Sequence, residues 1–338
     1  MNAKERLDTF YSGGKTDILP NLTIVGSVVT QYTGINLEVY SKDARKMADS
    51  AIEAAHDLSL DFVQIASDLC REAEGYGSEI LFPEHQLPTV KKPAIDDIHK
   101  VSDLNVRKVS DIPRLGELVD ATEYVLKKEP EIYPMTLAVG PMSVAGNVRG
   151  VSEIMIDSVK EPEAVDELLE KITETTLDYI HELAAVGAKY MYVADPTASL
   201  MGPAYYRKHI LPLHKKIFQA MKDNGIGARL HMCGNTQKIL PISCECGAAV
   251  IDVDCQTDFV QALKDVDGRA VLNGNINPVA DVYECDAQHT KQAILDVAEK
   301  SKGYRAMFMP GCELPTDTKL ENVKAIHEAL AEISGWEN

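Results

Sequence analysis

Eight short runs of apolar and β-branched residues punctuate the chain, each separated from the next by a longer stretch of different periodicity. The runs are Leu22–Val29, Asp61–Ala66, Met135–Val139, Lys189–Ala194, Ala228–Met232, Ala249–Val253, Ala270–Asn273 and Ala306–Met309. Their length and composition predict strands buried on both faces, which read as continuous apolar runs rather than alternations. The spacers carry apolar residues three and four apart. Val165–Val186 is such a stretch and is followed by Gly187, a helix stop signal. Ala204–Asn224 repeats the pattern and ends at Asn224-Gly225, and Leu320–Ile333 forms a last amphipathic helix. Strands alternating with helices predict an α/β fold with a parallel sheet closed into a (β/α)8 TIM barrel. The competing architecture is a doubly wound open sheet, but no Gly-x-Gly-x-x-Gly turn follows any of the runs.

The stretch from Gly77 to Glu131 departs from this rhythm. It is rich in proline and charge and reads as a long excursion after the second strand that helps cover the barrel mouth. No internal repeat, low-complexity tract or flexible linker interrupts the chain, so residues 1–338 are expected to form one domain with an N-terminal extension.

Composition narrows the function classes. The chain has 338 residues, of which 45% are hydrophobic, and a formal net charge of −18. A surface this acidic repels nucleic acid and anionic lipid, though it leaves local pockets unconstrained. No apolar run approaches the roughly 18 residues needed to span a bilayer. The polar N-terminus, Met1 to Pro20, has no signal-peptide core. A cytoplasmic protein is expected. The seven cysteines are an odd number, and a reducing compartment disfavours disulfides. They are therefore packing residues, metal ligands or reactive thiols.

The densest chemistry lies at two run ends. His231 and Cys233 stand two apart at the end of the fifth run, within His231-Met232-Cys233-Gly234-Asn235. Strand residues two apart point the same way, so both can aim at one point. Cys312 follows the eighth run in Met309-Pro310-Gly311-Cys312-Glu313. In a barrel both loops lie on the C-terminal face, where active sites form. Two thiolates and one imidazole suit zinc, and three protein ligands leave a coordination position free, as catalytic zinc requires. The plainer alternative is a chance His-x-Cys pair and a cysteine in an ordinary loop. Cys244 and Cys246 precede the sixth run, on the opposite rim. Cys70, Cys255 and Cys285 stand alone and are read as structural. Asp195, Asp252, Asp254 and Asn275 also occupy strand ends. Buried polar groups there serve a site or satisfy a loop backbone. Glu72 and Glu74 receive no role from their spacing.

At these residues the sequence resembles the uroporphyrinogen decarboxylase superfamily, and within it the corrinoid-dependent zinc methyltransferases typified by methylcobalamin:coenzyme M methyltransferase. The matching pieces are SVVTQYTG (27–34), SDLCREAEGYG (67–77), VGPMSVAG (139–146), VADPTASL (193–200), HMCGN (231–235), LNGNINP (272–278) and MPGCELP (309–315). The pairing of HMCGN with PGC is the specific part. The resemblance implies a TIM barrel, zinc held by His231, Cys233 and Cys312, and a methyl-corrinoid delivered by a partner protein. It also implies a small methyl acceptor or donor, with a thiol such as coenzyme M the natural acceptor. Asp195, Asn235, Asn275, Gln31 and Met142 fall in matching pieces and are the substrate-binding candidates. One departure matters. Decarboxylases carry an arginine-rich segment after the first strand to grip substrate carboxylates, and here that place reads SVVTQYTG, without arginine. Decarboxylation is thereby disfavoured. Demethylation of a donor toward the corrinoid, and a zinc-stabilised binding module without turnover, remain the other readings.

Overall fold

A computed structural model describes residues 1–333. Among these residues nine strands follow one another. They are β1 (Phe62–Ile65), β2 (Glu79–Leu81), β3 (Thr89–Lys92), β4 (Tyr133–Val139), β5 (Tyr190–Ala194), β6 (Gly227–Met232), β7 (Val250–Val253), β8 (Val271–Gly274) and β9 (Ala306–Met307). Seven of them form one parallel sheet in the order β1-β4-β5-β6-β7-β8-β9, so each new strand is laid beside the last in sequence order. Helices cross between them. Pro162–Ala185 lies between β4 and β5, Leu211–Asp223 between β5 and β6, and Leu320–Glu332 follows β9.

The two faces of the sheet bury different material. Outward residues such as Val63, Ile65, Met191, Val193, Leu230, Ile251 and Leu272 join the large core under the helices. Inward residues Phe62, Tyr133, Met135, Leu137, Tyr190, Tyr192, Val250 and Met307 make a second cluster. The N-terminal helix Ala3–Tyr11 seals that cluster with Leu7 and Phe10, both almost fully buried. The sheet curves around the inner cluster. Gln64 on β1 donates to the Tyr192 hydroxyl on β5 at 3.1 Å, across the concave side.

The run Leu22–Val29 is not a strand, which corrects the expectation of eight. Its hydrophobicity reports burial only, since Leu22, Val25 and Val28 are all essentially inaccessible. Gly26 takes a left-handed φ of 50°, and Gly26–Val29 winds into a 3-10 turn. The segment still lies beside β1, held mostly by single bonds instead of a ladder. The Asp61 amide donates to the Asn21 carbonyl at 3.1 Å, and the Leu314 amide to the Ile24 carbonyl at 3.2 Å. Val25 and Gly26 amides both donate to the Gln64 side chain at 3.1 Å.

The 77–131 excursion also resolves into two parts. The antiparallel pair β2 and β3 stands apart from the main sheet, and Leu87 and Pro88 between them reach the mouth. Pro113–Lys128, however, is a regular crossover helix that buries Leu115, Leu118, Val119 and Val125. Proline at its first position and a charged sequence masked its periodicity.

Candidate metal centre

The parallel register sets polar side chains of three neighbouring strands side by side on the concave face: His231 on β6 pairs with Asp252 on β7, which pairs with Asn273 on β8. Arg229 lies two residues before His231 and so shares its face. His231 Nδ1 donates to Asp252 Oδ2 at 2.8 Å. Arg229 Nε lies 2.9 Å from both Asp252 oxygens, and Asn273 Nδ2 donates to Oδ1 at 2.9 Å. Arg229 Nη1 also donates to the Leu22 carbonyl at 2.9 Å, which ties the irregular first segment to the site. Every member of this network is buried. Burial alone would raise the Asp252 pKa. The Arg229 guanidinium and the His231 ring outweigh it and hold the carboxyl below its usual range.

With Nδ1 committed to Asp252, His231 turns Nε2 toward two sulfurs. Cys233, just past β6, lies 3.0 Å from it. Cys312 lies 3.1 Å from Cys233 and 3.7 Å from His231 Nε2. Cys312 is brought there by the loop after β9. The Gly311 amide donates to the Ile276 carbonyl at 2.8 Å, and a Cβ at Gly311 would stand 2.6 Å from the Cys255 amide nitrogen. Glycine is what allows this loop to lie against residues 254–255.

The three donor atoms lie within 4.8 Å of one another, the one such group of metal-capable side chains among the described residues. Zinc–sulfur bonds of about 2.3 Å and zinc–nitrogen bonds of about 2.0–2.1 Å imply tetrahedral edges of roughly 3.5–3.8 Å. The observed triangle is slightly tighter and needs only small side-chain shifts to fit. The residues present therefore fit a zinc ion by donor type, by spacing, and by the carboxylate that orients the imidazole from behind.

Protonation follows the same contacts. Burial would lower the His231 pKa, but the Asp252 hydrogen bond and the Cys312 sulfur raise it to about 10. The contact with Cys312, then burial, pushes Cys233 far up, while the bond from Cys233, against burial and with help from His231, brings Cys312 down to about 5. A cation entering this triangle displaces protons, which ties its affinity to pH.

The triangle lines a cavity of about 240 Å³. Its wall includes Ile24, Leu87, Leu137 and Tyr192, with Gln64, Asp68 and Glu313 as polar members. Glu313 fits because Gly26 has no side chain. A Cβ there would stand 1.8 Å from Glu313 Oε1. Burial, and next the Cys312 charge, pushes the Glu313 pKa up to about 7.

His231, Cys233 and Cys312 are thus brought together. None of the other five candidates lines the cavity. Asp195 is fully buried behind it, accepting from Met142 N (3.3 Å), Ser143 N (2.8 Å), Ser143 Oγ (2.7 Å) and His214 Nε2 (3.1 Å). Met142 supplies an amide to that cap and is itself buried. Asn235 is exposed and accepts from the Gln237 amide. Asn275 donates to the Asp254 and Thr257 carbonyls, and Gln31 to those of Thr316 and Thr318. Glu72 accepts from the Val139 amide and Glu74 pairs with Arg114. Cys244 and Cys246 are buried packing residues. Sequence spacing gave no prominence to Arg229, Glu313 or Tyr192, and it undervalued Asp252. A charged residue two before His231, inside an apolar run, was the available signal.

The description of the uroporphyrinogen decarboxylase (URO-D) family matches residues 2–333. The chain belongs to that family. Among its relatives is the methylcobamide:CoM methyltransferase MtbA of Methanosarcina acetivorans, 30% identical over 291 residues that cover 85% of this chain and 84% of the relative. Another is the uroporphyrinogen decarboxylase of Carboxydothermus hydrogenoformans, 26% identical over 97% of each chain. A solved methyltransferase from Methanosarcina mazei shares the fold, with a TM-score of 0.87, 23% identity, and coverage of 98% of this chain and 99% of that one. In this URO-D family member no helix among the described residues is long and apolar enough to cross a membrane.

Proposed function

We propose that this chain is a zinc-dependent methyltransferase that moves a methyl group between a corrinoid on a partner protein and a small thiol held at the metal. The observation that carries the reading is the triangle of His231, Cys233 and Cys312 in the wall of a cavity. Purely structural zinc is normally closed by four protein ligands, so a three-ligand site beside a cavity favours turnover over a passive binding module. Relatives named as methylcobamide:CoM methyltransferases support the corrinoid and the thiol. Zinc bound there would lower the pKa of a coordinating thiol so that it is a thiolate near neutral pH.

The chain's own residues provide the rest. Asp252 fixes which His231 nitrogen faces the metal, and Arg229 keeps Asp252 ionised. Leu87, Leu137 and Tyr192 narrow the water around the reacting sulfur. In the transfer the thiol loses its proton to solvent, its sulfur takes the methyl carbon, and both electrons of the carbon–cobalt bond stay on the corrinoid. We read the seven strands together with residues 21–25 as the eight staves of one single-domain barrel, and place the protein in the cytoplasm, in keeping with seven unpaired cysteines. Decarboxylation of an acidic porphyrinogen gains no support, because among the described residues no lysine or arginine lines the cavity.

Metal analysis followed by a methylcobalamin assay tests this reading. The zinc-loaded protein should hold about one zinc per chain and convert the methylcobalamin spectrum in the presence of small thiols. A strong chelator should abolish conversion and added zinc restore it. Conversion unchanged after zinc removal would refute the proposal.

A further inference from the structure

The cavity beside the triangle has a distinctive balance of charge. Its wall contains two carboxylates, Asp68 and Glu313, and no lysine or arginine among the described residues. Two guanidiniums stand behind the wall without joining it. Arg114 pairs with Asp68, with Glu74 at 3.0 Å, and with the Ser41 carbonyl. Arg71 is fully buried, reaches Ser67 Oγ at 3.3 Å and does not line the cavity.

Most polar groups that do line the wall are already engaged. Asp68 accepts from the Cys70 amide and the Ser67 hydroxyl, both at 2.8 Å, as well as from Arg114. Gln64 accepts from two amides and donates to Tyr192. Tyr40 donates to the Ala66 carbonyl at 2.5 Å. Glu313 differs. Its Oε1 accepts one long bond, 3.3 Å from the Ser27 amide, and its carboxyl borders the cavity next to Cys312. The space thus offers an incoming molecule a carboxylate acceptor close to the reacting position and no cation. Burying a sulfonate or carboxylate there would leave it without a cation partner, which is costly at low dielectric. An ammonium or an amino group would meet Glu313 instead.

We propose that the small substrate of this cavity bears an N–H-rich group, an ammonium or amino-substituted ring, close to its reacting atom, and that Glu313 receives that group. Anionic thiols such as 2-mercaptoethanesulfonate are then poor partners. The proposal rests on the methyl-transfer reading and names its substrate class.

Three thiols of equal chain length separate the possibilities: 2-mercaptoethylamine, 2-mercaptoethanol and 2-mercaptoethanesulfonate. Their binding to the cobalt(II)-substituted full chain is read from the metal's absorption spectrum, and their reaction from methylcobalamin conversion. The amine should bind about tenfold or more tightly than the sulfonate, a factor that corresponds to about 1.4 kcal/mol. In Glu313→Gln the gap should shrink. Simple chelation of the metal by the amine would leave the gap unchanged in that variant. If Glu313→Gln does not retain metal, the same thiols are ranked on free cobalt(II): a preference for the amine seen only in the protein supports the class, and a preference of equal size on the free ion overturns it. A sulfonate that binds and reacts as well as the amine, while methyl transfer proceeds, overturns the substrate class and leaves the reaction standing. Absence of binding and conversion with all three thiols overturns the reaction and the substrate class together.

Discussion

Replacing Cys312 with alanine is expected to remove zinc and methyl transfer together. The variant keeps only His231 and Cys233 in the triangle, two donors from one strand end. Loss of a partner that merely orients a ligand already costs about 10–100-fold in affinity or activity, so loss of a ligand should exceed about a hundredfold in both. The fold should survive, because Cys312 lies in a loop after β9 and is only partly buried. Metal content by mass spectrometry, the methylcobalamin assay and a thermal melt measure the three consequences. Full zinc content with undiminished conversion in Cys312→Ala would separate the sulfur from the chemistry.

Asp252→Asn should be damaging in a different way. Asp252 carries three partners at once: the His231 ring, the Arg229 guanidinium and the Asn273 amide. Neutralising it leaves Arg229 buried with the Leu22 carbonyl and the Met309 sulfur as its remaining close contacts. An uncompensated buried charge of this kind costs about 3–5 kcal/mol. The His231 ring keeps at most a neutral amide oxygen in place of the carboxylate, so zinc affinity should fall about 10–100-fold. Urea unfolding and competition with a chromophoric chelator give both quantities. A variant within about 1 kcal/mol of the parent, with unchanged zinc affinity, would show that the network does not hold the site.

The contrast between these two residues shows what the sequence carried. His231 and Cys233 were legible because a period of two is a local property of a strand. Cys312 was legible because alternating strands and helices place every strand's C-terminal end on one rim. Asp252 stood as one strand-end polar group among several because its value depends on register. Only the pairing of β6 with β7 sets it beside His231, and register between strands is not written in either strand alone. Glu313 passed unnoticed for a similar reason, since its setting depends on Gly26, far away in the chain. The other substrate candidates stand apart from the cavity. Asp195, Asn275 and Gln31 are strand-end or loop polar groups that fasten backbone, and residue type does not distinguish that duty from ligand binding. Leu22–Val29 misled because an apolar run records burial, while a ladder also requires extended backbone, which the left-handed Gly26 interrupts.

The central claim is that one imidazole and two thiolates share a cation with a position left for a guest. Zinc K-edge absorption of the loaded protein, without and with a bound small thiol, tests it most directly. Two sulfurs at about 2.3 Å and one nitrogen at about 2.0–2.1 Å are expected beside a light atom, with a third sulfur appearing when thiol is added. A zinc environment without sulfur, or one that thiol leaves unaltered, would contradict it.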